Sequence, residues 1–151
     1  MNRQRLLIMA CSAAKNPAAG LLPAIERYRP GAYAQILHQF PQAAWPEVVI
    51  LSARFGYMNA WRPLPDYDVP MDRQAARLLK EDPEVWAQLA TMARPWHTDV
   101  FVAAGGLYRE VIDYHRSLGV FRPEAVFTVA CGGIGQQRAQ LKGWLAQKEA
   151  A

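Results

Sequence analysis

The sequence has few of the residues from which metal sites and disulfide frameworks are built. Only two of its 151 residues are cysteine and three are histidine, and their positions follow none of the spacings typical of zinc ligands. The motifs C-x-x-C, H-E-x-x-H and G-x-S-x-G are also absent from the sequence, so redox, metalloprotease and serine-hydrolase chemistry lack support. This composition favours a reduced, intracellular protein. We therefore expect a cytoplasmic protein with no metal and no cofactor.

Long apolar runs and dense runs of basic residues are missing as well. No segment approaches the roughly 18 apolar residues of a membrane span. The apolar run that starts at Leu6 is shorter than a signal-peptide core, so we interpret it as a strand and expect no membrane partner. The net charge is +4, but no dedicated nucleic-acid-binding module is visible. Most of the positive charge is arginine, whose planar guanidinium suits phosphates, so an anionic partner is compatible with the composition.

Four short apolar runs dominate what is present, and each stops at a cluster of small or special residues. The runs are residues 6–10, 48–51, 100–103 and 125–129. Continuous apolar runs of this length are typical of strands that are buried on both faces of a parallel sheet. The chain length suits one domain, which we place at residues 1–151. The sequence therefore predicts a three-layer, Rossmann-like α/β fold, with a mainly parallel central sheet and helices on both faces.

Helical periodicity fills the segments between these strands. It predicts helices over residues 31–40, 71–81, 83–92, 107–118 and 134–147. Residues 57–70 contain three prolines and no clear period. They are therefore predicted to form a long loop after the second strand, and long loops in compact domains are often functional.

The residues that follow the first strand are the strongest candidates for chemistry. Ligands of open α/β sheets bind beyond the carboxyl ends of the strands, where Cys11, Ser12 and Lys15 would lie. The small residues of this turn offer backbone N–H groups that attract anions. Lys15 can bind phosphate or, if it is desolvated, act as a nucleophile. Cys11 can be a reactive thiol, although buried structural cysteine is the commoner state.

The other strand ends and the proline-rich loop add further candidates. Ser and Arg at the second strand end can bind a polar ligand, and a carboxylate beside an aromatic ring in the loop can act as a general base. Glycines that open the last two helices let a ligand approach the backbone, but they do not fit the G-x-G-x-x-G pattern, so a nicotinamide cofactor is rejected. The candidates for substrate binding are Ser12, Ser52, Arg54, Tyr67, Gly105, Tyr108, Gly133 and Gln136, and those for catalysis are Lys15, Asp68 and Cys11.

Taken in order, these clusters resemble a known family. The series comprises Cys11-Ser12-x-x-Lys15, Pro23-Ala24-x3-Tyr28-x2-Gly31, Leu51-Ser52-Ala53-Arg54-Phe55-Gly56, Tyr67-Asp68, Gly105-x-x-Tyr108-Arg109 and Gly133-Ile134-Gly135-Gln136. It is similar to a family of small bacterial and phage domains of unassigned function that are distantly related to the peroxide-stress protein YaaA. The spacing Cys11-x3-Lys15 also resembles the centre of the lysine-containing core of archaeosine synthase, which modifies a deazaguanine base in tRNA. That likeness implies a reaction-site role for the lysine and extends to these two residues alone.

The leading hypothesis is an enzyme that acts on a nucleobase, nucleotide or modified nucleic acid. The reaction would take place at the N-glycosidic bond or at an exocyclic group of the base, as in a glycosidase or a base-modifying enzyme. In this hypothesis Lys15 is a nucleophile or an electrostatic stabiliser, Asp68 is the base, and Tyr108 stacks on the substrate. Two alternatives remain open: a non-catalytic DNA-binding or damage-response module, and a sensor of a small nucleotide.

Overall fold

The computed structural model describes residues 2–147. Its strands are β1 (Asn2–Ala10), β2 (Leu22–Pro23), β3 (Pro46–Ser52), β4 (Gly56–Asn59), β5 (Pro63–Leu64), β6 (Asp99–Ala103) and β7 (Val126–Val129). Its helices are α1 (Ala24–Arg27), α2 (Ala32–Leu37), α3 (Arg73–Glu81), α4 (Pro83–Met92), α5 (Gly106–Ser117) and α6 (Ile134–Ala146), with one 3-10 turn at Gln42–Ala44.

The central sheet has five strands in the order β4-β3-β1-β6-β7. β1 lies in the middle and pairs in parallel with β3 and β6, so that Ile8 lies beside Val49 on one side and Val102 on the other. β7 continues the parallel set at one edge, and β4 closes the other edge in the antiparallel direction. The apolar runs of the sequence thus form the parallel strands. β1, β3 and β6 are buried on both faces, as their apolar runs predict. For the fourth run this prediction is wrong: β7 is an edge strand whose residues alternate between exposed and half-buried.

Alternate side chains of β1 point to two separate cores. Leu7 and Met9 belong to a core that packs against α1, α2 and α6. Leu6 and Ile8 belong to a second core, which packs against α3, α4 and α5. Because successive residues of a strand face opposite sides of a sheet, this division places helices on both faces. The predicted three-layer α/β fold with a mainly parallel sheet is confirmed.

The predicted loop over residues 57–70 is wrong in its first half. Residues 56–59 form β4, which pairs with the end of β3, and residues 63–64 form β5, which pairs with β2. Gly56 has a φ of 70°, a conformation that glycine adopts without strain, and it lets the chain reverse directly after β3. Tyr57 and Met58 are both buried, so this strand lacks the alternation that would reveal it. Residues 65–72 remain a loop.

The predicted helices all form, with ends that shift by a few residues. α3 begins two residues into the segment predicted for it because Asp72 caps it, accepting a hydrogen bond from the N–H of Ala75 at 2.7 Å. Asp82 caps α4 in the same way by accepting from the N–H of Glu84 at 2.9 Å, as expected for Asp before a proline at the first helical position. Within the described residues 2–147, no helix has the length and apolarity that crossing a membrane requires.

Candidate functional site

The carboxyl ends of the four parallel strands lie along one border of the sheet, which we call the carboxyl edge. Cys11, Ser52, Gly105 and Cys131 follow or end β1, β3, β6 and β7, and the parallel pairing of these strands places them on the same side. The predicted common edge is therefore present. It is the position where ligands of open α/β sheets bind.

A cavity of about 240 Å³ opens at this edge. Its walls come from three segments: the turn after β1, the loop before α3, and the first turn of α5. The lining residues are Cys11, Ser12, Ala13, Lys15, Tyr67, Asp68, Val69, Pro70, Met71 and Tyr108. All three residues predicted to be catalytic lie in this wall, together with three of the eight predicted to bind substrate.

Lys15 reaches the cavity from a loop that has no secondary structure of its own. Its Nζ lies 4.9 Å from the centre of the Tyr67 ring and 3.5 Å from the backbone carbonyl of Ala13. The electron-rich face of an aromatic ring attracts an ammonium group, so Tyr67 fixes the direction of the lysine. The lysine is half-buried, which leaves its charge able to reach a ligand in the cavity.

Arg27 holds the loop that carries Lys15. The side chain is fully buried, and its two terminal nitrogens donate to four backbone carbonyls: those of Asn16, Ala18 and Gly20 in this loop and that of Leu64 in β5. The N–H of Asn16 donates in return to the carbonyl of Arg27 at 2.8 Å. Sequence reasoning missed this residue, because an isolated arginine in a short helix has no pattern that distinguishes it from a surface charge.

Ser12 is positioned by a close approach of the backbone. Its Oγ donates to the carbonyl of Ala14 at 2.6 Å, which leaves its lone pairs as acceptors. Gly31 packs directly against it: a Cβ at this position would lie 2.8 Å from the Cβ of Ser12 and 3.0 Å from the carbonyl of Tyr28. The glycine in the segment Tyr28-x2-Gly31 is therefore required by space, since its φ of −68° is open to any residue.

A chain of buried hydroxyl groups lies behind the cavity. Ser52 Oγ accepts from the N–H groups of Arg54 and Phe55 at 3.1 and 3.2 Å and lies 2.8 Å from the hydroxyl of Tyr67. The Tyr67 hydroxyl in turn contacts that of Tyr28. Because the backbone N–H groups occupy the lone pairs of Ser52, its proton goes to a tyrosine hydroxyl, that of Tyr67 or that of Tyr28, with which Ser52 also interacts. Ser52 thus supports the cavity wall and does not line it.

Cys11 joins this chain from the other side. Its Sγ lies 3.1 Å from the hydroxyl of Tyr108, and it also interacts with the hydroxyl of Tyr28. Burial raises the pKa of the Cys11 thiol and the pKa values of Tyr28 and Tyr108. All three groups are therefore neutral near pH 7, and Cys11 acts there as a hydrogen-bonding thiol. Tyr28 was in the sequence motif but had no assigned role.

Asp68 and Asp66 both belong to the loop before α3, and only Asp68 lines the cavity. Its side chain is exposed, which keeps the carboxylate in contact with water and free to meet a ligand. The preceding residue, Tyr67, is buried and contacts the Phe55 ring edge to face at 5.1 Å. The pair Tyr67-Asp68 thus has one member fixed in the wall and one member facing solvent.

The remaining predicted residues do not reach the cavity. Arg54 is exposed and lies over the Phe55 ring at 4.9 Å. Gly105 caps α5, and Gly133 caps α6. The Oε1 atom of Gln136 accepts from the N–H of Gly133 at 3.0 Å, so this side chain is engaged by its own helix. Gly105, Gly133 and Gln136 thus lie at the same edge without lining this cavity, and their roles in substrate binding stay predictions.

A larger cavity of about 370 Å³ lies at the opposite border of the sheet, where β3 begins. It is lined by Trp45, Trp61 and Trp96 together with Glu47 and other residues. The sequence singled out none of these positions.

Comparison with known proteins adds little to this geometry. No protein-family model matches the chain, and no curated protein is similar to it in sequence. The solved structure of AF0587, a protein of unknown function, aligns with 99% of this chain at 16% sequence identity and a TM-score of 0.49. The alignment spans 47% of AF0587, so this chain corresponds to about half of that protein. A likeness at this level carries no argument about function.

Proposed function

We propose that this protein is an enzyme that acts on the base of a nucleoside, nucleotide or nucleic acid. The reaction takes place at the N-glycosidic bond or at an exocyclic group of the base. One observation carries the proposal: a single small cavity at the carboxyl edge of the sheet collects Lys15, Asp68, Cys11, Ser12 and Tyr108. An ammonium, a carboxylate and several hydroxyl-type groups thus converge on one volume.

The size of the cavity supports a base as the bound group. Sites for drug-sized ligands enclose about 300–1,000 Å³, and this cavity encloses about 240 Å³. It therefore suits one flat ring system, with the rest of a nucleotide remaining outside. Ser12 Oγ and the Tyr108 hydroxyl offer hydrogen bonds for the edges of such a ring, because nucleobases present both donors and acceptors.

The lysine and the carboxylate have complementary roles in this proposal. With its charge held over the Tyr67 ring, Lys15 stabilises negative charge that develops on a departing base or an attacked exocyclic group. Asp68 is exposed and accepts the proton of the attacking water as general base. The neutral thiol of Cys11 positions Tyr108 and is not itself the nucleophile, because burial raises the pKa of the thiol.

The test is incubation of the purified protein with nucleobases, nucleosides, nucleotides and oligonucleotides, with products detected by mass spectrometry. Lys15→Arg, Lys15→Ala and Asp68→Asn are compared with Lys142→Ala, which removes an exposed lysine of α6. Electrostatic stabilisation predicts that Lys15→Arg retains much of the turnover, that Lys15→Ala and Asp68→Asn lose it, and that Lys142→Ala matches the wild type.

Other outcomes separate the alternatives. Loss of turnover in Lys15→Arg as well would assign the lysine as a nucleophile, because a guanidinium keeps the charge but cannot attack. Ligand binding without any product would favour the sensor. If no base-containing compound binds, or if both Lys15 variants bind and react like the wild type, the proposal is wrong.

A further inference from the structure

Three cations gather beside the cavity around two aromatic rings. Lys15 Nζ lies 4.9 Å from the centre of the Tyr67 ring, and the guanidinium of Arg54 lies 5.8 Å from the same centre. Arg54 and Arg62 lie 4.9 and 5.0 Å from the centre of the Phe55 ring. We call Lys15, Arg54 and Arg62 the cationic rim.

Among residues 2–147, no carboxylate lies within ion-pair distance of the cationic rim. Within residues 2–147, the ion pairs at 4.0 Å or less involve Arg5, Arg29, His38, His97 and Arg109, and none involves a member of the rim. The two guanidinium groups that share the Phe55 ring are no more than about 10 Å apart. That separation is close to the screening length of about 8 Å at physiological salt, so their charges add to one positive potential that favours an anion.

The rim extends away from the base cavity. Lys15 lines that cavity, Arg54 lines a neighbouring groove of about 460 Å³, and Arg62 lines a further groove of about 590 Å³. The path from Lys15 over Tyr67 and Phe55 to Arg62 consists of three steps of 4.9, 5.1 and 5.0 Å. A ligand that meets all three cations therefore carries several anionic groups in a row.

We propose that the cationic rim binds the phosphodiester backbone of a single-stranded nucleic acid whose target base enters the cavity. This inference rests on the proposed function, and it names the substrate class as polymeric. A base inside a duplex cannot reach such a cavity without leaving its stack. A positively charged groove that follows the backbone is the usual means of binding single strands, and here the Phe55 and Tyr67 rings hold the three cations of the rim beside the cavity.

The acidic residues beside the rim give the proposal a second test. Asp68 lines the base cavity and Asp82 lines the groove of Arg54, whereas Glu84 lines both outer grooves, where a carboxylate repels phosphate. Replacing it by glutamine removes this repulsion without changing the length of the side chain. The variant Glu84→Gln should therefore bind single strands more tightly than the wild type.

The experiment measures binding of fluorescent 12-mer single-stranded DNA and RNA between 50 and 300 mM salt. Affinity for single strands falls with salt by a log–log slope of about 0.7 for each phosphate neutralised. Arg54→Gln and Arg62→Gln should each weaken binding and reduce the slope by about 0.7. Arg122→Gln is the matched control, because it removes the same charge from an exposed arginine. Arg122 precedes β7, the edge strand on the opposite side of the sheet from β4. This control should bind like the wild type.

Binding of the nucleoside and the nucleoside triphosphate, measured in parallel, separates this inference from the proposed function. We expect the oligonucleotide to bind more tightly than the nucleoside. The rim variants should lose more affinity for the oligonucleotide than for the nucleoside. If the nucleoside binds but the oligonucleotide binds no better, the rim inference fails and the proposed function stands. The rim inference also fails if the triphosphate binds more tightly than the oligonucleotide, or if Arg122→Gln reduces the slope as much as the rim variants. If neither nucleoside nor oligonucleotide binds, both proposals fail.

Discussion

The hydroxyl of Tyr67 offers the sharpest test of how the site is built. It lies between the hydroxyls of Ser52 and Tyr28, and all three residues are buried. Tyr67→Phe removes this one oxygen and keeps the ring, so the contacts of the ring with Lys15 and Phe55 persist. What is lost is one of the two hydroxyls that can accept the proton of Ser52, together with a partner of the Tyr28 hydroxyl.

The expected cost follows from the burial of the two partners. A hydrogen bond contributes about 0.5–1.5 kcal/mol net, and a buried group left without a partner costs about 1–3 kcal/mol. Tyr28 keeps its interactions with Cys11 and with Ser52, so its hydroxyl can accept the proton of Ser52 and no buried donor is left without a partner. The cost is therefore that of one net hydrogen bond, and we expect the free energy of unfolding to fall by about 0.5–1.5 kcal/mol.

Urea unfolding of the wild type, Tyr67→Phe, Ser52→Ala and the double variant measures this cost. Tyr67→Phe and Ser52→Ala remove the same hydrogen bond, so the double variant should be more stable than the sum of the two single losses predicts, with a coupling of about 1 kcal/mol. Tyr114→Phe, which removes a hydroxyl from an exposed tyrosine of α5, should change stability by less than about 0.5 kcal/mol. A Tyr67→Phe loss as small as that of this control, or strictly additive losses, would refute the buried hydroxyl chain.

Three further predictions concern packing, the buried arginine and pH. Gly31→Ala forces a Cβ against the Ser12 side chain and a fixed backbone carbonyl, so urea unfolding should show a loss of stability of about 1–3 kcal/mol. The control Gly143→Ala in α6 meets open space and should raise stability by up to about 1 kcal/mol. Equal effects of the two variants would contradict the packing argument. Arg27→Gln should lower stability by about 3 kcal/mol and make residues 12–21 sensitive to limited proteolysis, and an uncut loop would count against its anchoring role. Burial lowers the pKa of His115, whose ring nitrogens contact the Tyr57 hydroxyl and a backbone carbonyl. Near pH 6.5 the unfolded chain therefore binds a proton at this histidine that the folded protein does not, and stability should fall from pH 7 to pH 5. A His115→Gln variant with an unchanged pH dependence of stability would contradict this.

The parallel strands could be predicted from the sequence because burial on both faces leaves a direct mark on it. Residues 6–10 and 100–103 are continuous apolar runs for this reason. β4 leaves no such mark: it is a short edge strand with Tyr57 and Met58 both buried. A two-residue strand such as β5 depends on its partner β2, which lies far away in the chain, so local patterns carry no information about it.

The site could be predicted as far as strand ends determine it. The cluster Cys11-Ser12-x-x-Lys15 follows β1, and parallel pairing places it beside the first turn of α5 with Tyr108. Gly133 and Gln136 form the cap of α6 and do not line the cavity, because a glycine cluster before a helix serves a cap as readily as a ligand; their binding roles stay predictions. Arg27 and Tyr28 were missed as functional supports, since their partners are backbone carbonyls and hydroxyls that only the tertiary fold brings near.

The anchoring by Arg27 also bears on how tightly a ligand can bind. Residues 12–21 lack regular structure, and a free loop of this kind would have to be ordered by its ligand, at about 1–2 kcal/mol of backbone entropy for each residue fixed. Three hydrogen bonds from one guanidinium order the loop before any ligand arrives. The entropy is therefore lost during folding instead of during binding, and the site is preorganised. The same guanidinium also donates to the carbonyl of Leu64 in β5, which is close in sequence to Tyr67. It therefore sets the position of the loop with Lys15 relative to the cavity wall with Tyr67 before a ligand binds.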